Sequence, residues 1–135
     1  MDIKLHKKQI QAFKLLFTPR PLDIVYSLLF GGGARGGKSW LGCVVFFLLC
    51  LKFPGIRLFI GRKNLKDVRL SVIKGTWAKV SEKYGWTKYW SFNGQDNIVK
   101  FINGSEIYLL ELDYYPSDPE YNRFGSYEFT AGWIE

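Results

Sequence analysis

The stretch Phe30-Gly31-Gly32-Gly33-Ala34-Arg35-Gly36-Gly37-Lys38-Ser39 decides how the rest of this chain is read. From Gly32 onward it fits the pattern G-x-x-x-x-G-K-[ST]. Glycines let successive backbone N–H groups curl into a concave nest that holds an anion. A helix starting where the loop ends adds the positive end of its dipole. In such a loop Lys38 can reach the β/γ-phosphates of a nucleotide, and the Ser39 hydroxyl can hold Mg²⁺. Gly32, Gly33, Ala34, Arg35, Gly36, Gly37, Lys38 and Ser39 are therefore the candidate phosphate-binding residues. A plain glycine linker would explain the glycines. It would not explain Lys38-Ser39, nor the apolar runs at 24–30 and 40–51 on either side.

Working outward, residues 24–30 form a continuous apolar run, as expected for a central parallel strand covered on both faces. Residues 38–52 read as a helix that is apolar almost all round and hence deeply buried. Phe53-Pro54-Gly55 stops it. Residues 56–61 make a second short strand, so strand, loop, helix and strand form a right-handed βαβ unit. Arg62-Lys63-Asn64 then falls at the C-terminal edge, where open α/β sheets gather ligands. Arg62 is a candidate for sensing phosphate or reaching a neighbouring subunit, against the plainer reading of a solvated strand end. Asn64 is a plausible N-cap for a helix reaching Tyr84. Leu65, Val68, Val72, Ile73, Trp77, Val80 and Tyr84 line one face, Gly75 weakens the interior, and Gly85 is a fitting terminator.

Earlier, residues 5–17 read as a helix with Ile10, Phe13, Leu16 and Phe17 at helical spacing, and with Gln9 and Gln11 on it. Later, Trp86-Thr87-Lys88-Tyr89-Trp90 mixes aromatic and basic side chains, which either pack a core or stack bases. Two β-rich runs, 97–102 and 105–111, flank Asn103-Gly104, the strongest short hairpin signal, implying a type I′ turn. Residues 113–125 form a polar loop. Residues 127–134 read as a last strand leading to Glu135.

A chain of 135 residues is about one domain. The first 90 residues hold 17 Lys/Arg against 4 Asp/Glu, and the last 45 hold 2 against 8, so a basic front precedes an acidic end. A basic front suits a polyanion such as nucleic acid, or is simply a solvated surface. Cys43 and Cys50 are the only cysteines. On one helix they lie about 10 Å apart along the axis, too far for a disulfide. They read as small core residues in a reducing compartment. The N-terminus is mixed and charged, unlike a secretion signal. The longest uncharged stretch, 39–51, is too short to span a bilayer. Neither a membrane nor secretion is expected.

A phosphate loop of this kind works with a carboxylate that ends an apolar strand and holds Mg²⁺, often through water. Glu135 follows such a run, Phe129-Thr130-Ala131-Gly132-Trp133-Ile134. An ordinary surface Glu is the alternative. With these parts in place, the chain resembles the N-terminal ATPase part of the large terminase subunit of tailed bacteriophages, the motor that packages DNA into capsids. Leu5-His6-Lys7-Lys8-Gln9 is similar to that family's adenine-contacting glutamine motif. Gly32 to Ser39 resembles its arginine-containing phosphate loop. Arg62-Lys63-Asn64 and Val68-Arg69-Leu70-Ser71-Val72 resemble the segment after its second strand. Phe101-Ile102-Asn103-Gly104-Ser105-Glu106-Ile107 is similar to its F-x-N-G-S-x-I hairpin, and Glu128 to Glu135 to its acidic second motif.

The resemblance implies an α/β fold of the P-loop NTPase class, in its RecA-like (ASCE) branch. The sheet would be mainly parallel, with helices on both faces and an added β-hairpin. Residues 1–135 would form a partial ATPase domain made of an adenine-motif helix (5–17), a phosphate loop (31–39), a hairpin (97–111) and an acidic motif (129–135). It implies ATP and Mg²⁺ as ligands. Gln9 would contact adenine, Lys38, Arg35 and Glu135 would be catalytic, and Ser39 and Glu135 would hold the metal. Arg62 or Arg35 would be the candidate for completing a neighbour's site. Implied partners are double-stranded DNA, the capsid portal, the small terminase subunit and further copies in a ring, all in the host cytoplasm. In this family the catalytic glutamate directly follows the metal-binding acid, which is commonly Asp, and a further strand sits between the phosphate-loop strand and the acidic one. The sequence stops at Glu135, so the expectation is a truncated chain that binds nucleotide weakly and does not hydrolyse it. Other phosphate-loop enzymes (a helicase-like ATPase or a nucleotide kinase) and a non-catalytic nucleic-acid-binding fragment are the alternatives.

Overall fold

The computed structural model describes residues 5, 7–16, 38–125 and 128–134. The elements run α1 (Lys7–Leu16), α2 (Lys38–Lys52), β1 (Arg57–Arg62), α3 (Leu65–Asp67), a π-helical stretch (Val68–Trp77) and α4 (Ala78–Tyr84). Then come β2 (Trp90–Asn93), β3 (Ile98–Phe101), β4 (Glu106–Glu111) and β5 (Ala131–Ile134). One sheet takes the order β2-β3-β4-β1-β5. β1 lies parallel to β4 and to β5, while β2, β3 and β4 form an antiparallel meander. The chain is thus mixed α/β with a parallel block extended by a hairpin, as expected. The expected strand at 24–30, and with it the βαβ crossover, lies outside the described residues.

α2 ends at Lys52, as read from sequence, because its apolar run is uninterrupted up to the Pro54-Gly55 turn. Leu41, Cys43, Val44, Val45, Phe46, Phe47 and Cys50 are buried on it. Strand alternation sends Leu58, Ile60, Ile107, Leu109 and Val99 to one sheet face, where all five are buried. Phe101 and Trp90 carry that face to the helices through Phe47 and Trp77. Phe47 and Trp77 stack with centroids 3.7 Å apart, and Trp86 closes the cluster 4.9 Å from Phe47. Such ring pairs add about 0.5–1.5 kcal/mol beyond the area they bury. Trp86 is buried, and the Trp90 Nε1–H donates to Ser81 Oγ at 2.7 Å. The 86–90 segment is therefore core packing, not a base-stacking platform. On the opposite sheet face, Phe129 lies against Phe59 and Tyr108. The second helical layer expected there is not seen among the described residues.

Three local readings are corrected. On α1, Phe13 packs against the core as expected, but Ile10 is exposed while Gln9 and Ala12 are buried. The helix after β1 buries the predicted side chains, but winds as a π-helix from Val68 to Trp77. Nine residues of α-helix make about 2.5 turns and would put Val68 and Trp77 on opposite sides. The wider i→i+5 winding brings both into the core. At the hairpin, Gly104 N–H donates to Phe101 O at 3.1 Å, and only Gly104 has a positive φ, +89°. A type I′ turn needs positive φ at Asn103 as well. The observed turn is instead the type I turn followed by a glycine in the G1-bulge position. The helix end at Gly85 is as expected. Gly85 is left-handed, and Trp86 N–H donates to Ser81 O while Gly85 N–H donates to Glu82 O, a Schellman motif.

Candidate nucleotide-binding site

Lys38 and Ser39 lie on α2, at the N-terminal edge of its described residues. Lys38 is exposed and Ser39 half-buried. Gly32, Gly33, Ala34, Arg35, Gly36, Gly37 and Glu135 lie outside the described residues. α1 packs against α2, which places the helix bearing Gln9 beside the helix bearing Lys38. Gln9 is only 4% exposed and is not without an interaction.

Arg62 ends β1, opposite Glu111 of β4 in the parallel register. Its Nη1 donates to Ser71 Oγ at 2.9 Å, and the Ser71 hydroxyl donates to Asp67 O at 2.5 Å. Arg62 is thus tied to the π-helical stretch of its own chain. Asn64 is the N-cap residue, but its side chain makes no capping bond. Next to it, Arg69 donates to Asn97 Oδ1 and to Gly94 O, pinning the helix to the β2–β3 turn.

The acidic loop beyond β4 is organised by Arg123, whose guanidinium donates to Asp118 and to the carbonyls of Glu111 and Asp113. Burial alone would raise the Asp118 carboxyl. The N–H groups of Asn122 and Arg123 and the Arg123 guanidinium outweigh it and hold the pKa below the ordinary value. Tyr115 is pushed up, first by its hydrogen bond to the Glu111 side chain.

Two features of α2 escaped the sequence reading. The first is Gly42. A Cβ built there would lie 2.8 Å from two atoms of the Trp133 six-membered ring. The same indole meets Phe46 edge-on at 5.9 Å. Gly42 and Phe46 therefore form a notch that receives β5. An isolated glycine inside an apolar helix was the available signal. The second is the far end of α2. Asn103 Nδ2–H donates to Cys50 O at 2.7 Å. The Ser105 hydroxyl reaches Cys50 O at 3.0 Å and Phe53 O at 2.8 Å. The Asn-Gly-Ser of the hairpin is thus a cap for the C-terminus of α2.

Among the described residues no three His, Cys, Asp or Glu side chains cluster as a metal site. No described helix is long and apolar enough to cross a membrane. No protein-family model matches the sequence, and no curated protein matches it. A solved structure does match in three dimensions: the large terminase from a thermophilic bacteriophage, with a TM-score of 0.69 at 15% sequence identity. The match covers 96% of this chain and 31% of that one, so the chain spans about a third of the terminase's length. Over nearly its whole length, the chain has the fold of part of a phage large terminase.

Proposed function

We propose that this chain is the ATP-binding part of a DNA-packaging ATPase of the terminase large-subunit kind. The observation that carries the reading is the complete phosphate-loop pattern in the sequence, whose Lys38 and Ser39 lie on the buried helix α2. The shared fold with a phage large terminase supports it. In this reading the backbone of Gly32–Gly37 and the dipole of α2 hold the phosphates. Lys38 and Arg35 balance their negative charge, and Gln9 contacts adenine. The donors suit Mg²⁺, a hard cation usually held by one or two protein oxygens plus substrate phosphates. Ser39 and Glu135 would supply those oxygens. Bound Mg²⁺ would neutralise charge on the transferring phosphoryl group. Double-stranded DNA, a portal, a small subunit and further copies in a ring would be the partners, in the host cytoplasm, with Arg62 or Arg35 serving a neighbouring site.

The test is thermal unfolding with and without ATP and Mg²⁺. A ligand at 100 times its Kd stabilises a protein by about 2.7 kcal/mol. The melting temperature should rise with ATP–Mg²⁺, and the rise should vanish in Lys38→Ala while the ligand-free melting temperature stays the same. No rise in the unaltered protein, or an equal rise in Lys38→Ala, sinks the reading. DNA stimulation of ATPase activity in a longer chain would then separate a packaging motor from a nucleotide kinase.

A further inference from the structure

Resting on that reading, we propose that Gly42 and Trp133 are positioning residues that set the approach of β5 to the first turn of α2, and through it the Mg²⁺ demand of the site. Ser39, Gly42 and Phe46 follow the i, i+3, i+7 spacing of a single helix face. The Trp133 indole sits on the Gly42–Phe46 part of that face. Ser39 is one turn away, about 4.5 Å along the axis. Trp133 pairs with Ile60 in the register of β5 with β1. On the strand's other face the Phe59 ring covers Gly132, where an added Cβ would collide with the ring. β5 is therefore gripped from both sides, by a ring over its own glycine and by its own ring over the glycine of α2. At neither glycine is there room for a methyl group unless a ring moves. A side chain at Gly42 would lift β5 away from the helix face that carries Ser39. Glu135, the proposed second metal ligand, is two residues on in sequence from Trp133.

Gly42, Phe46 and Trp133, which make this contact, are not residues of the phosphate-loop pattern, so the two functions should separate. The measurement is binding of a fluorescent, non-hydrolysable ATP analogue, first in EDTA and then across a Mg²⁺ titration. In Gly42→Ala the Mg²⁺ midpoint should rise about 10-fold, the lower end of what misplacing a metal's supporting shell costs. Affinity in EDTA should change by less than about 2-fold, within the spread expected of a contact that touches no phosphate. Trp133→Phe shortens the ring that lies over Gly42. Combined with Gly42→Ala it should bring the midpoint back toward the unaltered value, and alone it should raise the midpoint modestly. If Gly42→Ala does not fold, Trp133→Phe alone carries the test. An unchanged midpoint in the folded variants overturns the proposal, as does an equal loss of binding in EDTA. Absence of nucleotide binding in the unaltered protein overturns the site reading itself, and this inference with it.

Discussion

At its C-terminal end α2 gives its carbonyls to side chains of the hairpin: Asn103 and Ser105 take up Cys50 O and Phe53 O. At its N-terminal end the sequence supplies glycines, Lys38 and Ser39. The same four-group problem arises at both ends of any helix. Here one end is satisfied from within the chain, by residues some fifty positions away. The other end carries the pattern suited to an external anion. The contrast assigns the Asn-Gly-Ser hairpin a structural task, and it separates substitutions that cost stability from those that cost binding.

Ser105→Ala should show the largest stability effect. Ser105 is fully buried, and its single hydroxyl proton is shared between two carbonyls. Without it Phe53 O keeps only a long bond from Ile56 N–H, 3.4 Å. A buried acceptor left poorly satisfied costs about 1–3 kcal/mol, which at this chain length is roughly 3–10 °C of melting temperature. Nucleotide affinity, measured well below the transition, should not move. If Ser105→Ala weakened nucleotide binding as much as it lowered stability, the two ends would not be separable tasks.

Gly104→Ala probes the same end more gently. Gly104 has φ +89°, and the space around it is open, with Gly55 backbone atoms no nearer than 3.9 Å to an added Cβ. The cost is therefore conformational, about 1–2 kcal/mol for a side chain held at positive φ. The expected result is a smaller drop in melting temperature than for Ser105→Ala, again without loss of nucleotide affinity. A drop larger than that of Ser105→Ala would mean that the turn, rather than the cap, is what the motif protects.

How much of this was legible follows from the range of the interactions. The C-terminal end of α2 and the end of the helix after β1 could be read because the Pro54-Gly55 and Gly85 stops are local. Lys38 and Ser39 stand out in the sequence because the phosphate pattern fixes residue types at short spacing. The π winding of Val68–Trp77 could not. It is set by the need to bring Trp77 onto Phe47, a partner on another helix. The turn at Asn103-Gly104 was misread for the same reason. The Asn103 side chain is recruited by Cys50 O, more than fifty positions away, which local turn statistics do not contain. On α1, Gln9 is buried where Ile10 is not, and periodicity counts only apolar residues. Gly42 stood in plain view as a glycine in an apolar helix, but its reason is an indole on the last strand.

The smallest effect should come from Cys50 itself. Its thiol is fully buried, and burial pushes its pKa from 9.0 up to about 12, because a thiolate there would lose its hydration. The folded chain then keeps a proton that the unfolded chain loses above pH 9, so this contribution is intact below pH 9. It falls as the pH rises between 9 and about 12. Lysines and tyrosines titrate in the same window, so the comparison must be with Cys50→Ala. That variant should melt lower at pH 7, from the small cavity. Its melting temperature should fall less steeply above pH 9 than that of the unaltered protein. Cys43 is also buried without exposure, so neither thiol should react with an aromatic disulfide reagent at pH 8 until the chain opens. Reaction of Cys50 at the rate of a free thiol, with the fold intact, would show the capped end of α2 to be open. The contrast between its two ends would then collapse.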